Sequence, residues 1–446
     1  MTSLKVLHII PSLAPCRGGP SKAAIDMVSA LRKAGTEAEI VTTDDNCGDR
    51  LNVAKKELVE YQGVPVRFFM RLSPPTRPLR EFAYSWSLQR WLKKHINDYN
   101  LIHVHAIFSF CTSYAMRLAR NNNIPYVVHC MGQLEPWSLQ QSQVRKKIYL
   151  KCFELENLMG AAAIQFTAQS EQALVEQHFA KQYLEEQGLP KLKGTVIPLG
   201  VDLPMLISNA ETKMHKRWGL DRMTPTILYL SRLHPKKGLE ILLEALSKLG
   251  EQPYQLLIAG DGETQYLQKL QQKAAEFGIA NRCKFVGHLH GQEKNIALQG
   301  ADLFALTSHS ENFGIAVLEA MSSGTSVLLS KGVALSHEVE KNELGFVCDL
   351  SQESIQESLT QALHDIESTH ELGKGARRFV ENHYQWSGIA DQLNKLYSDC
   401  LQCLSKGLLF KYSDRFDVCC VGKHIYHSSL CHTVSIFVNH HACISR

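Results

Sequence analysis

The run Ala301-Asp-Leu-Phe-Ala-Leu306-Thr-Ser-His309-Ser-Glu311-Asn-Phe313-Gly314-Ile315-Ala-Val-Leu-Glu319-Ala-Met321 changes character halfway along. Ala301–Leu306 is a short, almost continuous apolar segment, which reads as a strand buried on both faces. Glu311 falls on a loop with Phe313 and Gly314, and helical patterning follows. Glu319 lies eight residues after Glu311. At 3.6 residues per turn, that spacing returns it near the same helix face. A strand-to-helix turn of this kind is where open α/β sheets bind ligands. Two glutamates at this spacing are also common on solvated helix faces, so the rest of the chain decides between the two.

The same strand-then-helix order repeats in both directions. Upstream, Lys5–Ile10 reads as a strand and Ser21–Ala34 as a helix. Glu39–Thr43, Val64–Phe68, Leu101–Val104, Tyr126–His129 and Ala161–Phe166 read as further strands, and Thr195–Pro198 closes the series. Residues 199–225 carry charges, two prolines and little periodicity, and read as a linker. The alternation then restarts with strand Thr226–Ser231 and helix Gly238–Leu249, then strand Gln255–Ala259 and helix Glu263–Phe277. Strands Cys283–Val286, Ala301–Leu306 and Thr325–Leu329 follow, then helical patterning over Gln352–Ile366 and Arg377–Cys400. Such order implies parallel sheets with helices on both faces. The expected architecture is α/β, with two doubly wound Rossmann-like domains facing a cleft. Residues 1–200 form the first domain and 201–376 the second. The 377–400 helix, broadly apolar through Phe379, Tyr384, Trp386, Ile389, Leu393 and Tyr397, packs back on the first domain.

Composition narrows the class. With 446 residues, 44% hydrophobic and 21% charged, the chain is that of a soluble globular protein of two or three domains. A net charge of +4 is too small to point to nucleic acid. Its distribution says more. Residues 1–200 hold 24 Lys and Arg against 17 Asp and Glu, while residues 201–400 hold 19 against 25. A basic first half suits an approach to an anionic surface or substrate, and equally a solvated surface with no partner. No signal peptide is read at Met1–Pro11 and no apolar stretch reaches spanning length, so a cytoplasmic protein, at most peripheral on a membrane, is expected. Seven cysteines scattered through residues 1–399 read as reduced thiols. The last six are Cys400 and, in a Cys/His-rich stretch over 401–446, those at 403, 419, 420, 431 and 443. The spacings in this stretch match no zinc pattern, and it reads as unstructured.

Three further turns carry chemistry. Pro15-Cys-Arg-Gly18-Gly19-Pro20 sits between the first strand and first helix. Its glycines allow close backbone approach, and the helix start offers free N–H groups to an anion. In Ser231-Arg232-Leu-His-Pro-Lys-Lys237-Gly238, Arg232 leaves a strand end and Lys237 precedes a helix, so both cations can converge on a diphosphate. Ala259-Gly260-Asp-Gly262 follows a strand, where small residues leave room for a ligand or simply make a tight turn.

Together these runs resemble the retaining, nucleotide-sugar-dependent glycosyltransferases of the GT-B fold, group 1 type, over about residues 4–400. The carriers are Gly18-Gly19, Ser231-Arg232 with Lys237-Gly238, Ala259-Gly-Asp-Gly262, Phe285-Val-Gly287, and Glu311-Asn-Phe-Gly-Ile with Glu319-Ala. Val196-Ile-Pro-Leu-Gly-Val-Asp202 looks like the family's motif before the linker, with Leu199 where asparagine is usual. The resemblance implies that Arg232 and Lys237 bind the donor diphosphate and stabilise the leaving group. It implies that Glu311 contacts donor-sugar hydroxyls and Glu319 the ribose. The backbone of Phe313, Gly314 and Ile315 would offer N–H groups, with Gly260 and Gly262 lining the donor side. Gly18 and Gly19 would cap the diphosphate from the opposite domain. His129 resembles the family's active-site histidine; a buried structural histidine is the other reading. His103 and His105, at another strand end, are not assigned a catalytic role.

The implied enzyme is a hexosyltransferase-like, retaining glycosyltransferase. It would move a sugar from a UDP- or GDP-sugar co-substrate to a glycan or lipid-linked acceptor, in cell-surface polysaccharide (lipopolysaccharide or exopolysaccharide) or glycolipid synthesis. No resident cofactor is implied. The chain has no Asp-x-Asp, and cations at Arg232 and Lys237 replace the need for a metal. Two basic, aromatic regions, Arg71–His95 and Trp137 with Arg145, Lys146, Lys147 and Lys151, suit anionic lipid headgroups on the inner face of the plasma membrane. For Phe82–Trp91 a helix docked on its own domain is favoured. The competing readings are a sugar-nucleotide epimerase or phosphorylase on the same scaffold, and a non-catalytic sugar-nucleotide-binding module.

Overall fold

The computed structural model describes residues 4–74, 82–185 and 188–405. Among the described residues the first half holds ten strands: β1 (Lys5–Ser12), β2 (Glu37–Thr43), β3 (Asp45–Asn46), β4 (Asp49–Arg50), β5 (Leu58–Tyr61), β6 (Val64–Phe69), β7 (Leu101–His105), β8 (Tyr126–His129), β9 (Ala163–Phe166) and β10 (Gly194–Val196). The second holds β11 (Thr226–Leu230), β12 (Gln255–Ala259), β13 (Cys283–Gly287), β14 (Leu303–Leu306), β15 (Ser326–Ser330) and β16 (Gly345–Cys348). The first sheet runs β10-β9-β8-β7-β1-β2-β6-β5 and the second β13-β12-β11-β14-β15-β16. Every pairing in them is parallel except β5 with β6. In both sheets the order turns back beside the first strand. That switch point opens a crevice at the carboxyl ends of the strands. These are two Rossmann-like α/β domains flanking a cleft, the GT-B arrangement.

Six helices position the site: α1 (Gly19–Lys33), α2 (Leu239–Ser247), α3 (Gly291–Gly300), α4 (Ile315–Ser322), α5 (Ile366–His383) and α6 (Trp386–Ser405). Both faces of the first sheet are covered. Leu7, Ile9, Ile102, Val104 and Val128 pack to one side, and Val6, Leu101 and Val127 join the other core with α1. The apolar stripe of α6 (Trp386, Ile389, Leu393, Tyr397) is buried in this second core. Thr36 Oγ1 meets Asn394 Oδ1 at 2.6 Å, and the Tyr397 hydroxyl lies 2.7 Å from His103 Nδ1. The last helix of the second half is thereby tied to the first sheet.

Three local features differ from the sequence reading. Residues 377–400 are not one helix: α5 ends at His383 and α6 begins at Trp386. The Val201 N–H donates to the Tyr384 carbonyl at 2.8 Å, which takes a ladder acceptor out of the helix. Two chain crossings therefore touch there, and Gly200 is what lets them pass, since a Cβ on it would lie 2.5 Å from the Trp386 ring. The expected linker contains a helix, Ala210–Trp218, that packs on α3. Gly300 makes the approach close: an added Cβ would lie 2.9 Å from Met214 Cβ. And two of the seven cysteines expected as thiols, Cys16 and Cys47, form a disulfide. The helix Trp86–His95 buries Leu88 and Leu92 against its own domain, with Ser85 accepting from the Leu88 N–H as its N-cap. Residues 75–81 and most of the 401–446 tail (406–446) lie outside the described residues.

Candidate active site

Two helices begin at the cleft and aim their N-termini at one another. Gly18, with φ 73° and ψ −139°, caps α1, a conformation essentially reserved for glycine. Gly314, at φ 87° and ψ 60°, caps α4 from the other domain. A Cβ on Gly19 would come to 3.3 Å from Ile315 Cδ1, so the first residues of the two helices all but touch. Each N-terminus presents the positive end of a helix dipole. At α1, Pro20 has no N–H and the Ser21 N–H donates to the Gly18 carbonyl at 3.2 Å, so Gly19 is the first-turn residue left to meet an anion. Their convergence makes the place between them strongly favourable for an anion.

Cations gather on the same spot. After β11 the chain passes Arg232 and makes a tight turn at Pro235–Lys237 before Gly238 starts α2. Gly238 has φ 68°, and a Cβ there would run into the Thr307 carbonyl at 1.8 Å. The lysines are therefore pressed against the loop that follows β14. Lys237 forms an ion pair with Glu311. Burial, and then Arg232 and Lys236, push the Lys237 ammonium pKa down. The Glu311 carboxylate in contact with it pulls the other way. Glu311 is fixed in turn by its backbone: its N–H donates to Gly332 O (2.8 Å) and its carbonyl accepts from the Ala334 N–H (3.0 Å). Phe313 is buried, with its ring 6.2 Å from that of Tyr384, so it shapes the loop through packing.

Glu319, one face along α4, accepts from Lys294 Nζ of α3 at 2.7 Å. Both line a cavity of about 100 Å³ that also holds Lys22 and Asp26 of α1, Asp202 of the crossing and Trp386 of α6. Burial raises the Asp26 carboxyl against the pull of Lys22, and Asp202 and Glu319 add to the rise. Gly260 and Gly262 have a packing reason of their own. Added Cβ atoms would lie 1.8 Å from the Ser231 carbonyl and 2.3 Å from the Leu233 carbonyl, so these glycines let the β12 turn lie on the Arg232 strand end.

His129 is buried at 1% exposure, and neither ring nitrogen has a hydrogen-bond partner among the described residues. Burial lowers its pKa to about 4, so it is a neutral imidazole at physiological pH. Its ring lies edge-on to His105 at 5.7 Å. His8, His103 and His105 complete a patch on one sheet face, with His8 Nδ1 2.9 Å from His105 Nε2. These three could converge on a metal by distance. All three are fully buried, and no carboxylate lies among them to offset a divalent charge. They fit a neutral, packed cluster better than a metal centre.

The sequence reading did not pair the residues that join the two domains; it put Trp137 in a basic, aromatic region suited to lipid, whereas its ring meets Lys236 of the other domain. Glu135 accepts from Ser310 Oγ at 3.2 Å, and Lys236 Nζ stands 4.2 Å from the centre of the Trp137 ring. The loop after His129 carries Gly132, where a Cβ would press on Asn312 at 2.8 Å. Glu171 holds that loop: its carboxyl accepts from the N–H groups of Gly132 (3.1 Å) and Thr167 (2.7 Å) and from Thr167 Oγ1 (2.8 Å). Burial pushes Glu171 up to about 7. Lys294 is the other omission. It follows strand β13 by seven residues, next to Glu293, and a Glu-Lys pair on a helix reads as an ordinary solvated face.

Two facing Rossmann-like domains with an anion-favouring cleft define a scaffold for phosphate-bearing ligands, and comparisons with known proteins supply the class. Residues 210–379 match the family model "Glycosyl transferases group 1". Residues 17–204 match "Glycosyltransferase Family 4". The chain belongs to the GT-B-fold glycosyltransferases, related to these two nucleotide-sugar transferase families. It is 22% identical to the D-inositol 3-phosphate glycosyltransferase of Corynebacterium glutamicum (strain R) over 396 residues, 86% of this chain and 92% of the relative. It is 30% identical to the phosphatidyl-myo-inositol mannosyltransferase of Mycobacterium tuberculosis (strain ATCC 25618 / H37Rv) over 210 residues, 45% of this chain and 53% of the relative. Among solved structures, sucrose-phosphate synthase from Thermosynechococcus elongatus superposes with a TM-score of 0.71 at 19% identity, covering 90% of this chain and 100% of that one. Anabaena HepE in complex with UDP and glucose superposes at 0.66 with 21% identity, covering 89% and 99%. No helix among the described residues is long and apolar enough to cross a membrane.

Proposed function

We propose that this chain is a retaining, metal-independent glycosyltransferase that moves a hexose from a UDP- or GDP-sugar to a glycan or lipid-linked acceptor. The observation that carries the reading is the meeting of the α1 and α4 N-termini beside Lys237. A diphosphate placed there receives N–H groups from both domains. Arg232 and Lys237 stabilise the charge that grows on it as the glycosidic bond breaks. Glu311 gives up its contact with Lys237 to the incoming phosphate and turns to the sugar hydroxyls. Glu319, held by Lys294, accepts from the ribose. His129, neutral, offers one ring nitrogen toward the transferred sugar. The acceptor hydroxyl attacks the face from which the diphosphate departs, and a diphosphate oxygen takes its proton. This needs no carboxylate base. The two cations and two helix ends supply the positive charge that a divalent ion would otherwise bring.

The relatives support a nucleotide-sugar donor: HepE was solved with UDP and with UDP-glucose. Two relatives named for inositol-containing acceptors support a polar or lipid-borne acceptor. On the acceptor side, Val144 (71% exposed), Ile148 and Phe153 stand out of the surface among Arg145, Lys147 and Lys151. That mixture suits a peripheral contact with an anionic lipid surface. Flotation with anionic vesicles at low salt tests it; protein left at the bottom of the gradient removes the lipid surface from the proposal.

Calorimetric binding of UDP, GDP and ADP tests the donor site, on the native chain and on Arg232→Ala/Lys237→Ala. Binding of one nucleotide, lost in the double variant, is the expected result. Binding of none sinks the reading and means the scaffold has lost its donor site; binding without turnover favours a non-catalytic module. Turnover of a sugar nucleotide without acceptor turns it toward an epimerase.

A further inference from the structure

The Gly18–Gly19 turn is held from outside by a covalent staple. Cys16 lies in the short turn Pro15–Arg17 that leads into Gly18. Cys47 lies at the tip between β3 and β4, and the two are bonded across 31 residues of chain. The β3 side is a rigid anchor. Asp45 and Arg71, 4% and 0% exposed at their side chains, form an ion pair at 2.8 Å. The turn side is held more lightly, by Arg17 Nε on Asp45 at 2.8 Å and by two backbone bonds, Arg17 N–H to Ala14 O and Gly18 N–H to Pro15 O. Both cysteines are exposed to solvent, so small thiols can reach them. The other cysteines of the described residues are unpaired.

We propose that Cys16 and Cys47 form a thiol–disulfide exchange site that sets the rigidity of the donor-binding turn, the oxidised form binding nucleotide sugar more tightly. This rests on the proposed donor reading. The chemistry needs only a small disulfide of the glutathione class. One cysteine thiolate attacks a sulfur of oxidised glutathione and expels one glutathione thiolate. The second cysteine thiolate then attacks the mixed disulfide and expels the other. Two electrons pass from the protein dithiol to oxidised glutathione, and the two protons end on the released thiols. In the reduced form the Arg17–Asp45 pair and the turn's own hydrogen bonds remain, so the turn loosens without unfolding. The Gly19 N–H at the α1 N-terminus then has to be ordered at the moment of binding. Ordering one residue weakens nucleotide affinity by about tenfold.

The test uses the full chain, poised with dithiothreitol or with oxidised glutathione. Peptide mass spectrometry reads the Cys16–Cys47 link, hydrogen exchange reads the amides of residues 15–21, and calorimetry reads UDP and GDP affinity. Reduction should speed exchange in 15–21 and weaken nucleotide binding by about tenfold. Cys16→Ser/Cys47→Ser should show the reduced values in either buffer; because Cys152 and Cys403 are also exposed, this variant assigns the effect to the pair. Failure to recover the linked peptide under oxidised glutathione overturns the proposal, and so does unchanged exchange in 15–21 on reduction. Nucleotide bound by neither form refutes the donor reading instead, and the exchange result still decides the staple.

Discussion

Gly18 and Gly19 are adjacent, yet the structure assigns their substitutions opposite kinds of damage. At Gly18 an added Cβ meets nothing within 4 Å, but the backbone sits at φ 73°. Gly18→Ala therefore adds pure backbone strain, about 1–3 kcal/mol. For a domain of this size that lowers the melting temperature by roughly 2–4 °C per kcal/mol. At Gly19 φ is ordinary and the new Cβ lies 3.3 Å from Ile315 Cδ1, the flexible end of a side chain. Gly19→Ala should leave stability within about 0.5 kcal/mol. It does, however, put a methyl group where the two helix N-termini converge. An anion held there then loses one charge-assisted N–H bond, about 1.5–3 kcal/mol, or roughly 10- to 100-fold in donor affinity. Thermal unfolding and nucleotide calorimetry on the two variants read both quantities. Gly18→Ala should melt early; Gly19→Ala should melt normally and bind nucleotide poorly. If Gly19→Ala binds UDP and GDP as tightly as the native chain, the diphosphate does not lie between α1 and α4 and the site has been misplaced.

Other outcomes follow from the same geometry. Lys294→Met should raise the donor KM by about tenfold with little change in kcat, because Glu319 loses the cation that orients it, and Lys294→Arg should restore most of it; a fall in kcat alone would contradict a ribose role. Turnover should survive EDTA, and a loss restored by manganese would refute metal independence. Glu171 binds its proton more tightly folded, at about 7, than unfolded, near 4.3. Between those values the native state holds more protons than the unfolded state, so the contribution to stability is full below about pH 4 and is lost as pH rises through 7. Urea unfolding should show a decline of about 2–4 kcal/mol across that window that Glu171→Gln flattens, and an identical slope in the variant would assign the decline elsewhere.

What the sequence disclosed and what it hid divide along a physical line. Parallel strands covered on both faces must be apolar throughout, so β1, β7, β8, β11, β14 and β15 stood out as uninterrupted runs. The turns after them carry glycines whose backbone geometry admits little else, and Gly18, Gly238 and Gly314 were visible for that reason. Glu311 and Glu319 lie on one loop and the helix it leads into, so local spacing related them. The same spacing says nothing about partners in the other domain. Glu135 with Ser310, Trp137 with Lys236, and Gly132 with Asn312 are each separated by well over a hundred residues or close to it, and only the closing of the cleft brings them together. The Cys16–Cys47 pair was hidden differently. In a long chain with scattered cysteines, composition favours free thiols, and only the return of β2 beside β1 sets the tip after β3 against the turn before α1. Periodicity reports what each element must bury, so it recovers the two sheets. The cleft residues answer to geometry between elements, and their demands are written in pairs that no local window contains.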